Sequence, residues 1–374
     1  MSEAILPPRI LIHVLGHDEL TDTDIDNINA FKFLMVANIP RTAFNQMRFS
    51  FRHKMEIHSI YVITHRLALL SEVVPLWYDC CINSCIAYTG DYVNDLTCPY
   101  CKQPRHNAKN KPRRMFCYIP IIPRLQKLFS NIKSREELLY RHEYHSDGSS
   151  ISDVFDGEHY KNLCKTRVSV DGKIFLHKYF SDKRDIAFSV CMDSYLLYKR
   201  RRGGPSATPI LIQLYNLPPD VRTHLSRLVC TGVIPGPKGP KRLDTFVFPL
   251  EEEIASLAVG VPTYDCVEKS IFLMRGYHLF PQGDIIAIEK ALGIKGHNSK
   301  CPCRGCEQKA INDPNATNKT YYIPLMHPNQ TKSWDPHNLP LRSHNDWAAS
   351  TERISQLVTK KDKNIFSQHF RVRV

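Results

Sequence analysis

Two stretches near the start of the chain repeat apolar residues at three- and four-residue steps: Ile25, Ile28, Phe31 and Met35, then Ile60, Ile63, Leu67 and Leu70. That spacing predicts two helices packed on each other through those stripes, with Pro40 between them. Nothing in either stripe marks a DNA-reading helix, so both are read as core. From about residue 180 the period changes from helical to extended. Ile186, Phe188, Val190 and Met192 alternate with smaller residues, and residues 210–215 and 228–234 are further β-rich runs. Turn signals at Arg202-Gly203-Gly204-Pro205 and Pro235-Gly236-Pro237 suggest an antiparallel meander. A helix is expected next, burying Leu250, Ile254 and Leu257, with Glu251, Glu252 and Glu253 near its positive N-terminal end. Residues 271–279 read as a fourth strand, and residues 285–292 as a helix directly after Asp284.

Three meander strands, a helix, a strand and a helix is the opening order of an RNase H-like fold, which makes the expected class α/β with a mixed sheet. The 374 residues allow two or three domains. Lysine and arginine exceed aspartate and glutamate by 13, a field that favours a polyanion such as DNA, RNA or an acidic membrane surface. Membrane is the weaker choice, since no apolar run approaches the roughly 20 residues that span a bilayer. The first residues, with Glu3, Pro7 and Pro8, lack a signal peptide's basic flank and apolar stretch, so a cytosolic or nuclear address is expected. Thirteen cysteines, an odd number with some in C-x2-C and C-x3-C spacing, fit thiolate metal ligation in a reducing compartment better than disulfides. The sequons at Asn315, Asn318 and Asn329 are then accidental.

The cysteine block is the strongest local signal. Cys81 and Cys85 are spaced C-x3-C, Cys98 and Cys101 C-x2-C, and four thiolates on two tight turns can close a tetrahedral structural zinc site. The competing reading is ordinary buried cysteine, and the doublet Cys80-Cys81 leaves one ligand ambiguous; Cys81 gives the usual spacing to Cys85. A second group, Cys301, Cys303 and Cys306, offers one C-x2-C pair, Cys303 with Cys306, and would need His297, His327, His337 or His344 to complete a site. Between residues 102 and 135 there is no acidic residue, while Lys102, Arg105, Lys109, Lys111, Arg113, Arg114, Arg124, Lys127, Lys133 and Arg135 are interleaved with Phe116, Tyr118 and Phe129. Such a stretch suits sequence-independent contact with phosphate, against the alternative of a solvated basic linker. Asp193 ends the first meander strand and Asp284 follows the fourth, positions side by side in an RNase H-like sheet. Paired carboxylates there can hold magnesium or manganese, against the plainer reading of a helix N-cap and an exposed strand-end acid.

The run Tyr78-Asp-Cys-Cys-Ile-Asn-Ser-Cys85 with Cys98-Pro-Tyr-Cys101 and Tyr118-Ile-Pro-Ile-Ile-Pro resembles the N-terminal zinc ribbon of fungal CACTA (En/Spm) transposases. The similarity continues through Asp153-Val-Phe-Asp-Gly157, Tyr179-Phe-Ser-Asp-Lys-Arg-Asp-Ile-Ala187, Tyr215-Asn-Leu-Pro-Pro219, Ile234-Pro-Gly-Pro237, Gly283-Asp284, and Lys295-Gly-His297 with Cys303-Arg-Gly-Cys306. It spans roughly residues 40–345. The resemblance implies an RNase H-like core with a DDE/D acid triad and divalent metal that cuts DNA at element ends and joins them to a target. Asp193 matches the first acid, Asp284 the second, and Cys303 and Cys306 the cysteine pair inserted before the third. One departure is Ser194, where that family usually has glycine.

The expected organisation is a helical segment (1–75), a zinc ribbon (76–115), a basic connecting region (116–180), an incomplete RNase H-like core with the inserted cysteines (181–345) and a truncated tail (346–374). Of the acids after Cys306, none sits in a recognisable motif of that family, and Glu352 is the one candidate for the third carboxylate because it could share a short helix with Ile354, Leu357 and Val358. The ending Phe370-Arg-Val-Arg-Val374 looks like an arbitrary stop. The expectation is therefore a nuclear, DNA-binding, catalytically incomplete transposase relative, able to assemble as a homo-oligomer on DNA. The alternative is a non-catalytic zinc-dependent DNA-binding protein.

Overall fold

Thr21 caps the first helix, α1 (Asp22–Val36): its hydroxyl accepts the Asp24 N–H at 3.1 Å while the Asp24 carboxylate accepts the Thr21 N–H at 3.2 Å, so two amides without intrahelical partners are satisfied reciprocally. In the computed structural model, residues 20–197, 206–237, 239–294, 299–303, 305–312, 321–322, 335, 337–359 and 361–363 are described. The 202–205 turn, Lys295-Gly-His297, His327, the three sequons and the last residues lie outside them. The chain divides into two compact units, Met1–Pro75 and Leu76–Val374.

In the first unit α1 is followed by α2 (Arg41–Ser50) and α3 (Ile60–Ser71), around a small core of Leu34, Phe44 and Ile63. Two expectations are corrected here. Helix α2 is absent from the apolar pattern, because Phe44 is its one fully buried side chain; Met47 joins it at a single helical step, and Phe49 is exposed. The inner side of α1 is only partly the predicted stripe: Phe31 packs against this core, but Ile25 and Met35 are exposed, whereas Asp24 and Asn27 are buried. Asp24 receives Arg66 through two bonds of 2.9 and 3.0 Å, and Asn27 accepts the His58 N–H at 2.7 Å. Specific polar partners thus turn positions 24 and 27 inward, one residue away from the predicted Ile25 and Ile28.

The second unit opens with β1 (Leu76–Asp79), the cysteine loop, and β2 (Met115–Tyr118). There follow α4 (Ile122–Phe129), α5 (Ile132–Glu137), α6 (Glu158–Leu163) and the hairpin β3 (Arg167–Val170) with β4 (Lys173–Lys178). Then come β5 (Ile186–Met192), β6 (Tyr195–Leu196), β7 (Ser206–Leu214), β8 (Val229–Pro235), α7 (Asp244–Val259), β9 (Val261–Asp265), β10 (Ser270–Met274), β11 (Gly276–Gln282), α8 (Ile285–Ala291) and α9 (His344–Gln356). The main sheet runs β1-β2-β8-β7-β5-β11, with β6 beside β7. Strands β5, β7 and β8 are antiparallel neighbours, as expected of the meander, and β11 joins β5 in parallel. Both faces of β5 are buried: Ile186, Phe188, Val190 and Met192 enter one core with Phe116, Leu125, Ile210 and Leu250, while Ala187 joins Phe155, Tyr215 and Tyr277 in the other.

Two further boundaries move. The run read as one fourth strand is two, β10 paired with β9 in a separate hairpin and β11 in the main sheet. The break lies at Arg275, whose carbonyl accepts the Ile186 N–H at 2.8 Å and starts the new pairing; the pair Arg275-Gly276 inside the otherwise mostly apolar run is its local sign. Helix α7 starts at Asp244, so Glu251 to Glu253 lie mid-helix rather than near its N-terminus. Glu253 instead accepts Ile121 N–H at 2.9 Å, Ile122 N–H at 3.0 Å and the Tyr118 hydroxyl, stabilising the start of α4. The blocks expected at 76–115, 116–180 and 181–345 share one compact unit, since residues from all three contribute to a single core.

Candidate metal centre and acidic edge

Cys81, Cys85, Cys98 and Cys101 come from two turns inserted between β1 and β2. In the first, Ser84 N–H donates to Cys81 O at 2.7 Å and Ser84 takes a left-handed φ of 57°; in the second, Lys102 N–H donates to Cys98 O at 2.9 Å with a φ of 58°. These tight reversals bring the four sulfur atoms within 4.8 Å of one another. Sulfurs around a tetrahedral zinc with bonds of about 2.3 Å are roughly 3.8 Å apart, so a small inward adjustment of the ligands closes the site. Cys81 Sγ and Cys101 Sγ are already 3.3 Å apart, and both thiols are free rather than disulfide-bonded. Cys80 belongs elsewhere: it is buried in the main core with Ala87 and Phe116.

Without a metal, burial sets Cys81 and Cys85 against ionisation, pushing their thiols above the usual range. Cys101, despite desolvation that opposes ionisation, is drawn down to about 6 by hydrogen bonds from the Gln103 amide, Asn83, Cys81 and Cys98. Several thiolates in so small a volume repel one another unless a metal neutralises them. The four clustered cysteines, three buried and Cys101 half-buried, can therefore bind a metal such as zinc.

The loop is fastened to the sheet. Arg114 donates to Ile82 O at 2.9 Å, to Ser84 Oγ at 3.0 Å and to Gly236 O, and Lys241 and Arg242 amides donate to Cys85 O at 2.9 and 3.1 Å. Gly236 is required there, because a Cβ would lie 2.2 Å from Ser206 O. Much of the basic stretch is occupied inside the fold in this way. Arg105 pairs with Asp79 at 2.6 Å, Arg113 donates to Gln103 Oε1 at 2.9 Å, Arg124 donates to Cys230 O, and Arg135 is buried against Asp265 and Glu268 at 3.2 Å each. Lys127 is half-buried on α4, while Lys102, Lys109 and Lys111 are exposed on the cysteine loop and Lys133 on α5. No spacing signal in the sequence separates the committed guanidinium groups from these ammonium groups.

Asp193 and Asp284 emerge at one edge of the sheet. The last pair in the parallel register is Gln282 opposite Cys191, so Asp284 and Asp193 each follow it by two residues, after chains that run about 4.8 Å apart where paired. Asp193 is exposed. Asp284 is also exposed and is the N-cap of α8, accepting Ala287 N–H at 2.7 Å. Gly283 has a φ of 157°, and a Cβ on it would lie 2.7 Å from Ala287 Cβ, so the close start of α8 needs glycine. Ser194, where glycine was expected, has no left-handed φ, and its hydroxyl lies 2.6 Å from Thr208 Oγ1 of β7.

At the second cysteine group, amides of Gly305 and Cys306 donate to Cys303 Sγ at 3.4 and 3.3 Å, and the Arg342 Nε–H donates to the carbonyls of Cys303 and Cys306. Among the described residues no three ligands gather there; His297 and His327 lie outside them and His337 is exposed. Glu352 is exposed on α9, but that helix ends at Gln356, so Leu357 and Val358 lie beyond it.

With this geometry in place, residues 165–369 match the family model described as the transposase family tnp2. The matched segment runs from the β3–β4 hairpin past both acids and covers more than half of the chain. No curated protein matches.

Proposed function

Because the chain belongs to the transposase family tnp2, we propose that its main sheet is an RNase H-like core of the CACTA type, which binds DNA in the nucleus as a homo-oligomer. On this reading Asp193 and Asp284 form the first part of a magnesium or manganese site. The observation that carries it is the parallel pairing of β5 with β11, which ends both strands at one edge with a carboxylate on each. The order of antiparallel β8, β7 and β5 followed by parallel β11, with α7 intervening, supports the same fold. Divalent metal bound there would activate an attacking hydroxyl and stabilise a leaving oxygen. The protein's part is to fix the carboxylates: Asp284 is held by Ala287 N–H, and Asp193 follows directly on the last pair of β5 with β7, Met192 opposite Ile210. The cysteine centre would hold structural zinc, and exposed Lys102, Lys109 and Lys111 beside it would meet phosphate.

A third carboxylate is needed for the family's cleavage and joining chemistry, and the acids after Cys306 fall in no motif of that family. We therefore read the chain as DNA-binding and catalytically incomplete, with Glu352 as the test case. The non-catalytic reading draws support from Asp284, whose carboxylate already serves as a helix cap. Incubation of the purified chain with supercoiled DNA and manganese is expected to give binding without nicking. Nicking abolished by both Asp193→Ala and Glu352→Ala would establish a complete triad and overturn the incompleteness. Absence of any DNA binding would remove the whole reading.

A further inference from the structure

Helix α2 lies in the first unit, outside the segment matched by the family model. Phe44 is fully buried on its inner side, with Met47 packed against the same core. The opposite side follows the helical repeat through Arg41, Asn45 and Phe49, flanked by Thr42 and Gln46, and Arg52 continues it just past the helix end; all six are exposed. Phe49 is 66 % exposed and the Arg52 guanidinium lies over its ring, 4.5 Å from the centroid. Lys32, Arg41, Arg48, Arg52 and Lys54 fall in residues 27–55, which contain no Asp or Glu. Glu56 follows directly on this run and Glu72 ends α3, while Asp22, Asp24 and Asp26 lie in the first turns of α1, where Asp24 is paired with Arg66.

We propose that this face of α2 reads duplex DNA from the major groove. Asparagine and glutamine offer paired donors and acceptors to adenine, with Asn45 Oδ1 now accepting from Arg48 at 3.3 Å, an exposed apolar ring can meet a thymine methyl, and Arg41 and Arg52 would meet the phosphates alongside. The groove, about 12 Å wide, admits one helix. An ordinary solvated helix face would carry glutamate with its lysine and arginine. Here the acids are missing where phosphates would pass. The proposal rests on the reading of the chain as a DNA-binding protein, and it assigns sequence preference to α2 while the cysteine loop supplies only phosphate contacts.

The test uses the whole chain, selection from a randomised duplex pool, and binding measured across salt concentrations. Asn45→Ala with Gln46→Ala is expected to erase the selected sequence preference while changing affinity for random duplex less than about threefold. Arg41→Ala with Arg52→Ala should weaken binding to every duplex and reduce the slope of log affinity against log salt by about two, at roughly 0.9 per phosphate contact. Thr42→Glu, a third change on the exposed face, should also lower affinity without lowering the melting temperature. If all three variants keep the wild-type preference and salt slope, α2 is not the reader, although DNA binding by the chain stands. A wild-type chain that binds duplex without any preference equally overturns the assignment. No duplex binding by the wild type overturns both.

Discussion

At the residue scale, adjacent cysteines serve different structures: Cys80 packs in the main core, and Cys81 faces three other thiols. Cys81→Ser is therefore expected to reduce bound zinc from one equivalent to near zero. Cys80→Ala should keep the full equivalent and cost only packing, about 1–2 kcal/mol. Metal analysis alongside thermal melting separates the two, and loss of zinc on Cys80→Ala would contradict the ligand set. Asp185 carries a different signal. Burial pushes its carboxyl up to about 6, partly offset by the Asp182 amide and by Arg141 and Arg275. An unfolded aspartate titrates near 3.9, so between about pH 4 and 6 the native protein holds a proton that the unfolded chain has released. Stability contributed by this group falls as pH rises through that window, by about 3 kcal/mol in order of magnitude. Asp185→Asn should raise the melting temperature at pH 7.5 and leave it almost unchanged at pH 4.

At the scale of elements, the β9–β10 hairpin is tied to the rest of its unit by charge as well as by packing. Arg135 of α5 reaches Asp265 and Glu268 at the hairpin's turn, Arg184 reaches Glu268 at 2.9 Å, and the Arg184 guanidinium covers the Phe272 ring at 3.9 Å. The Asp265 side chain is completely buried and keeps Arg184 at 3.6 Å as a second partner, so removing Arg135 leaves a buried charge underpaired. Arg135→Ala is expected to destabilise the protein by about 3–5 kcal/mol, whereas replacing both partners, Arg135→Met with Asp265→Leu, should recover most of that loss. Denaturant titration of the two variants checks the difference. Equal destabilisation would mean that the pair matters through shape rather than charge.

For the whole molecule, the cysteine loop and the sheet form one mechanical body, because β1 and β2 lie in the main sheet and the loop carbonyls are held from the β8–α7 connection. Chelation of zinc should therefore loosen more than the loop. Hydrogen exchange is expected to quicken in β8 and residues 239–245 on chelation, with residues 22–71 unaffected as part of a separate compact unit. Exchange confined to residues 80–102 would show instead that the loop unfolds alone.

How much of this was legible beforehand follows from the range of each interaction. The C-x3-C and C-x2-C spacings, the alternation of Ile186 through Met192 and the stripe of Leu250, Ile254 and Leu257 are local patterns, and local backbone geometry suffices to read them. They led to the cysteine cluster, the meander and the following helix. Other outcomes depended on partners far along the chain: Arg114 on Gly236, Arg124 on Cys230, Arg135 on Asp265, and the new pairing at Arg275 on Ile186. A cation in a sequence looks the same whether its future partner is phosphate or a buried carboxylate. Helix α2 was concealed for a related reason, since a short helix that buries one phenylalanine leaves almost no apolar period to detect. The amino-acid sequence by itself determined which segments turn inward and where thiols can meet. Tertiary structure alone decided which charges are consumed within the fold and which remain on its surface, because that choice is made only when distant segments close on one another.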